Sequence, residues 1–207
     1  DVLIENCDID SGDDGICLKS SKNPCRNIVV RRCKVSSNTA ALKFGTSSRG
    51  GFIDVNVTNC YFYDCPMGAI KLQSVDGGRL ENIDISRITM KDVGSPIFIR
   101  LGDRGSTFSR SEKQKLPVGT LKNIRISEVI AEVTIEDREK ATRATYKNKK
   151  AEDAAEVTDK EKSKAGPIMI TGIPGHYVEN VRLQNVKISF PGHGTTEDGQ
   201  RTVADDV

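Results

Sequence analysis

A short pattern returns along this chain at near-constant intervals: an Asn or Asp, then apolar and polar residues in alternation. It reads Asp-Val-Leu-Ile-Glu-Asn-Cys at 1–7, Asn-Ile-Val-Val-Arg-Arg-Cys at 27–33 and Asp-Val-Asn-Val-Thr-Asn-Cys at 54–60. It continues as Asn-Ile-Asp-Ile-Ser-Arg-Ile at 82–88, Asn-Ile-Arg-Ile-Ser-Glu-Val at 123–129 and Asn-Val-Arg-Leu-Gln-Asn-Val at 180–186. The second residue of each line is an apolar anchor: Val2, Ile28, Val55, Ile83, Ile124 and Val181. The steps between anchors are 26, 27, 28, 41 and 57 residues. A period in this range means stacked structural repeats. Six stacked coils make a solenoid whose outer wall can bind a polymer.

Each coil carries a second strand. These read Ile-Cys-Leu-Lys at 16–19, Leu-Lys-Phe-Gly at 42–45, Ile-Lys-Leu-Gln at 70–73 and Ile-Phe-Ile-Arg at 97–100, with Ile-Met-Ile-Thr at 168–171 as a later member. Alternation of apolar and polar residues marks strands with one buried face. The inward positions line up as Ile16, Leu42, Ile70, Ile97 and Ile168, and Gly, Ser, Asp and Asn between strands supply turns. Residues 1–101 show no helical stretch, which an α/β solenoid needs in every repeat. The expected fold is therefore all-β: a right-handed parallel β-helix of about six coils in a single domain.

Two inserts account for the longer steps. Residues 102–118 are rich in Gly, Arg, Ser and Lys and read as a loop. Residues 136–164 hold 17 charged residues out of 29, nine basic and eight acidic. Such a stretch makes an exposed helix or a disordered excursion. A solvated insertion is the plain reading, and a substrate lid or docking arm is the functional one.

The composition excludes several classes. Hydrophobic residues make up 36% of the chain and Trp is absent, which is lean for a globule but sufficient for a narrow solenoid core. A net charge of +2 gives no broad field for nucleic acid. No apolar run approaches the ~18 residues of a membrane helix. Residue 1 already lies inside a repeat line, so a piece of a longer protein with earlier coils is expected, and the polar stretch 195–207 lacks a closing apolar cap.

Cys7, Cys33 and Cys60 each fall five residues after an anchor, where the next coils place Ile88, Val129 and Val186. In that column cysteine acts as a small apolar core residue. Zinc ligands come as tighter pairs, so no metal is expected. Cys17, Cys25 and Cys65 lie off the column. Cys25 with Cys65, or either with Cys17, are the pairs open to a bridge in an oxidising compartment, and spacing does not choose among them.

If Ile16 and Leu18 point inward, Cys17 and Lys19 point outward. The matching outward positions are Lys43 and Gly45, Lys71 and Gln73, then Phe98 and Arg100. Lys19, Lys43, Lys71 and Arg100 are expected on one wall, with coils ~4.8 Å apart. Such a row fits a substrate with a negative charge on successive units, or it keeps a sheet face soluble. Asp13 and Asp14 stand just before the first of these strands, in Gly-Asp-Asp-Gly. Asp-Gly is a common turn pair. Adjacent carboxyl groups also push their titrations apart, which suits acid–base work.

Gly-Asp-Asp-Gly-Ile-Cys-Leu-Lys-Ser at 12–20, followed by Arg-Asn-Ile-Val-Val-Arg-Arg-Cys at 26–33, resembles the polygalacturonase family, glycoside hydrolase family 28. Leu-Lys-Phe-Gly-Thr-Ser-Ser-Arg-Gly-Gly at 42–51 and Pro-Ile-Phe-Ile-Arg-Leu-Gly at 96–102 look like its bacterial members. The likeness spans roughly 1–130, and 166–195 more loosely. It implies hydrolysis of a pectin-like, galacturonan-type polysaccharide with inversion, Asp13 as general acid and Asp14 helping to activate water. It implies Lys19, Lys43, Lys71, Gln73 and Arg100 along the subsites. Inverting chemistry sets acid and base ~6.5–9.5 Å apart.

The sequence also departs from the family. The family's third catalytic Asp, in Asn-Thr-Asp one coil earlier, has no counterpart here. Its Gly-His-Gly falls at Thr39, Ala40 and Ala41, and its carboxylate-gripping Arg-Ile-Lys falls at Lys71, Leu72 and Gln73. Gly192-His193-Gly194 spells the missing motif but lies far along the axis and reads as a turn, as does His176. The expectation is a secreted or periplasmic enzyme, monomeric and without a cofactor. Its partner is an acidic polysaccharide, not nucleic acid or membrane. A polysaccharide lyase on the same fold and a non-catalytic carbohydrate-binding β-helix are the rival readings.

Overall fold

The structure is a computed structural model that describes residues 1–107, 114–134, 168–192 and 196. The charged stretch 136–164 and His193 lie outside the described residues. Thirteen strands follow one another among these residues: β1 (Val2–Glu5), β2 (Asp8–Ser11), β3 (Ile16–Ser20), β4 (Cys25–Arg31), β5 (Lys34–Ser37), β6 (Ala40–Ser48), β7 (Phe52–Cys65), β8 (Gly68–Ser74), β9 (Arg79–Val93), β10 (Ile97–Leu101), β11 (Thr120–Val133), β12 (Met169–Thr171) and β13 (Val178–Ser189). No helix occurs among them.

The strands pair in parallel, each with its counterpart one coil on. One sheet runs β1-β4-β7-β9-β11-β13, with β2 and β5 extending it; the other runs β3-β6-β8-β10-β12. The register keeps every anchor of the repeat in line: Val2 pairs Ile28, Ile28 pairs Val55, Val55 pairs Ile83, Ile83 pairs Ile124, and Ile124 pairs Val181. In the second sheet Ile16 pairs Leu42 and Ile70 stands between Leu42 and Ile97. A one-residue slip would turn each of these rows outward, so the burial of one face sets the pairing.

The long strands β7, β9 and β11 are each two arms of one coil, folded at a residue of left-handed backbone. Asn59, Arg87 and Glu128 hold φ near 56°, 54° and 55° there, continuing a column from Asn6 and Arg32 to Asn185. A second such column leads the repeat: Asn27, Asp54, Asn82, Asn123 and Asn180, with φ between 50° and 59°. Asn and Asp tolerate this conformation better than other side-chain-bearing residues. Their side chains bond along the axis: the Asn27 amide donates to Asp1 Oδ1 (2.7 Å), Asn82 to Asp54 Oδ1 (2.9 Å), Asn123 to Asn82 Oδ1 (3.1 Å) and Asn180 to Asn123 Oδ1 (2.8 Å). The Asn or Asp that opens each line is thus a corner residue and a rung of a ladder.

The core is a narrow column of Val, Ile and Leu, thickened by Phe44, Phe52 and Phe62. Cys33 and Cys60 are buried in it, Cys7 is half-buried, and Cys60 pairs Ile88 in register as Ile88 pairs Val129. All six cysteines are free thiols, so none of the off-column pairs is bridged.

The described parts of the first insert, 102–107 and 114–119, carry no strand. Residues 102–107 are tied down by Asp76, which is wholly buried. Its carboxylate accepts from Arg104 Nε (2.9 Å) and Nη2 (2.6 Å), from the Ser106 amide (2.9 Å) and from the Ser48 amide (3.1 Å). A buried carboxylate is stable only when paired and hydrogen-bonded in this way.

Candidate active site

Asp13 and Asp14 form the turn between β2 and β3, on the open side of the second sheet. The turn is fixed from the next coil as well as locally. Gly15 N donates to Ala40 O (2.8 Å) and Ser37 Oγ donates to Asp13 O (2.6 Å). A Cβ on Gly15 would lie 2.5 Å from Val35 Cγ1 and 2.8 Å from Ala41 O, so only glycine lets the turn press this closely on its neighbour. The Asp14 amide donates to Asp13 Oδ1 (2.8 Å), which orients the first carboxylate.

The two carboxylates meet different surroundings. Asp13 is exposed. The Asp14 side chain is 8% exposed and forms an ion pair with Lys43 Nζ at 2.8 Å, the lysine being 22% exposed. Thr39 Oγ1 lies 2.8 Å from Asp14 Oδ1 and 3.4 Å from Asp13 Oδ1, joining the pair through one hydroxyl. Cys17 Sγ donates to Asp14 Oδ2 (3.6 Å) and to Gly45 O (3.5 Å). Burial alone pushes the Asp14 carboxyl up, but the bonds from Lys43 and Thr39, the Lys43 charge and the Cys17 bond outweigh it and hold the group below the usual range. Asp14 is therefore kept ionised. The Cys17 thiol is driven up to about 11 by burial and by the Asp14 charge, so it stays protonated and donates rather than attacks.

Lys43 pairs Lys71 in register and Lys71 pairs Phe98, so the outward column reads Cys17, Lys43, Lys71, Phe98, Met169. Burial and the neighbouring Lys43 charge lower the proton affinity of Lys71, and Asp14 partly offsets them. Gly68, at φ 135°, clears the space for the Lys71 stem: a Cβ there would stand 3.3 Å from Lys71 Cε.

The row of cations is shorter than alternation predicts. Arg100 is 1% exposed, and its Nη1 donates to Gly172 O (2.9 Å) and Thr171 Oγ1 (3.3 Å) of the next coil. Gln73, its partner in register, is buried as well. Both point away from the core column yet are covered, so neither lines the open wall. Lys19 is exposed, but the pairing of β3 with β6 slips there: Leu18 meets Phe44 and Ser20 meets Ser48, leaving Lys19 opposite three residues of a bulge. Of the expected subsite residues, the structure brings together Lys43 and Lys71 beside Asp13 and Asp14. Thr39 and Cys17 join them as contacts of the acids that the motif did not single out. Thr39 follows the acids by one repeat length and stands where the family's Gly-His-Gly begins, and those were the signals available.

Among the described residues no group of three or more His, Cys, Asp or Glu side chains is placed to hold a metal ion. His176 closes a surface turn, its amide donating to Ile173 O (2.9 Å).

Residues 1–110 match the family model described as right handed beta helix region, and the chain belongs to that family. Its fold is the right-handed, pectin-lyase-like parallel β-helix, one common among carbohydrate-active enzymes. No curated protein and no solved structure matches the chain.

Proposed function

We propose that the protein is a glycoside hydrolase that cleaves a pectin-like, galacturonan-type polysaccharide outside the cell or in the periplasm. The observation that carries this reading is the division of labour within one turn. Asp14 is fixed and ionised by Lys43 and Thr39, while Asp13 is exposed beside it. Groups with contrasting environments suit opposite proton-transfer roles. Asp13 is read as the acid that protonates the leaving oxygen, and Asp14 as the carboxylate that activates water.

One shared hydroxyl at 2.8 and 3.4 Å places their Oδ1 atoms within about 6 Å of each other. That is closer than the ~6.5–9.5 Å of inverting enzymes. Inversion by this pair thus requires Asp13 to turn outward toward the glycosidic oxygen, as catalytic contacts in unliganded sites commonly rearrange on binding. Lys71 would receive the sugar carboxylate.

The test is release of reducing ends from de-esterified pectic polymer. Asp13→Asn and Asp14→Asn should each lower turnover by at least ~100-fold while the circular dichroism of the β-helix is unchanged. Undiminished turnover in Asp13→Asn removes that residue from the mechanism. A second reading has one observation in its favour. The lowered proton affinity of Lys71 suits a base that abstracts a proton beside a uronate, the step of a polysaccharide lyase. Absorbance from an unsaturated product would select it.

A further inference from the structure

The outer face of the first sheet is a different wall from the one beside the acid pair. Alternation along β9, β11 and β13 turns Asp84, Arg125 and Arg182 outward in one column and Ser86, Ser127 and Gln184 in the next. Arg125 pairs Arg182 in register, so two arginines stand on neighbouring strands ~4.8 Å apart. Both are exposed. Like charges directly opposite on one face of a sheet repel. Arg125 has a counter-charge on one side only, its Nη1 lying 3.7 Å from Asp84 Oδ2. Arg182 is in no ion pair among the described residues.

Ser127, two residues on from Arg125 on the same face, is 2% exposed, and its Oγ has no hydrogen-bond partner. A covered hydroxyl left unpaired is costly. The corresponding hydroxyl one coil earlier is satisfied: Ser86 Oγ lies 3.1 Å from Thr58 Oγ1. Gln184 stands in register with Ser127 on the other side and is exposed, with its amide free to turn toward the same ground. Two cations with one counter-charge, and a buried donor without an acceptor, lack the same thing. A multi-oxygen anion supplies it, because guanidinium groups take carboxylate, sulfate and phosphate through paired N–H donors.

We propose that Arg125, Arg182 and Ser127 form an oxyanion-binding site on the outer face of the first sheet, with Gln184 at its rim. The ligand is a multi-oxygen anion, carried either by an acidic sugar chain or by a free inorganic ion. The long surface side chains around Ser127 part to admit it, and its oxygen accepts from the serine hydroxyl. The site lies away from Asp13 and Asp14 and does not depend on the hydrolase reading.

The experiment is a nitrogen-detected NMR titration of the full chain in low-salt buffer, with sodium sulfate and then a uronic acid hexasaccharide, against sodium chloride at equal ionic strength. The side-chain N–H signals of Arg125 and Arg182 and the Ser127 amide should shift together and saturate with sulfate but not with chloride. Arg182→Gln and Ser127→Ala should each weaken that binding about tenfold. Without anion, Ser127→Ala should melt at or above the parent temperature, since it removes an unpaired hydroxyl. Added sulfate should raise the melting point of the parent more than that of either variant. Tighter binding of the hexasaccharide at these three signals identifies a sugar chain as the source, and tighter binding of sulfate identifies a free ion. Shifts that never saturate, shifts of equal size at the exposed Arg26 and Arg32, or an Arg182→Gln variant that binds as the parent does, overturn the proposal.

Discussion

Replacing Lys43 with Met tests the electrostatic frame of the acid pair, because it removes the charge and keeps the stem. The ion pair to Asp14 is 2.8 Å long, with side chains 22% and 8% exposed. At an effective dielectric of about 20 the gross attraction is about 6 kcal/mol. Desolvation of both partners cancels much of it, and close pairs of this kind couple by about 1–3 kcal/mol net. Asp14 keeps its bonds from Thr39 and Cys17, so the turn itself should persist. Urea unfolding of the parent, Lys43→Met, Asp14→Asn and the double variant closes a cycle. The double variant should be less destabilised than the sum of the two single ones by at least ~1 kcal/mol. In Lys43→Met, carbon-detected NMR should show the Asp14 carboxyl titrating higher, since the Lys43 bond and charge that lower it have gone. It should also show Lys71 titrating higher, since a like charge has gone. Strict additivity together with an unmoved Asp14 titration would refute this account of the site.

Three further outcomes follow from the fold. Asp76→Asn should cost about 2–4 kcal/mol, because it leaves the Arg104 guanidinium without its carboxylate, and limited proteolysis should then cut within 102–107. Acid should destabilise the protein through Glu81. The Arg79 hydrogen bond, opposed by burial and aided by Thr120 and Lys122, lowers its carboxyl from 4.5 to about 2. The folded value lies below the unfolded one, so that contribution is complete above about pH 4.5 and is lost as pH falls through about 2. Urea midpoints against pH should therefore decline across that window, by on the order of 1–2 kcal/mol since Arg79 stands in solvent. Asn82→Ala should cost about 2–3 kcal/mol, combining two lost ladder bonds with a left-handed backbone that alanine disfavours. Asn82→Gly should recover the backbone part, as a thermal-melt comparison would show.

The coil was legible because burial acts on every repeat at once. The six apolar anchors and the row Ile16, Leu42, Ile70 and Ile97 stand in register because any other pairing would expose a whole face. What stayed hidden are features that depend on coverage. Alternation tells which way Arg100 and Gln73 point from the core but not that neighbouring structure closes over them. Lys19 is exposed as alternation expects, but the bulge at 45–47 breaks the equal step to its neighbour in the next coil, and composition does not reveal a bulge. Asp76 reads as one more Asp-Gly turn, and only the fold shows it as the buried clamp for Arg104. The leading Asn or Asp of each line marks the repeat in the sequence, but only the fold shows that its left-handed backbone and side chain make it a structural rung. At the site, the two lysines followed from spacing and the acids from the family resemblance, whereas the bond from Thr39 to Asp14 needed the contact between coils.

The most direct measurement is the configuration of the sugar end first released by the full chain, followed by proton NMR within minutes of mixing with a pectic oligosaccharide. An inverted reducing end, absent in Asp13→Asn, is the predicted result. A retained anomer, or an unsaturated end instead of a hydrolysed one, would contradict the assignment of Asp13 and Asp14 as an acid–base pair acting through water.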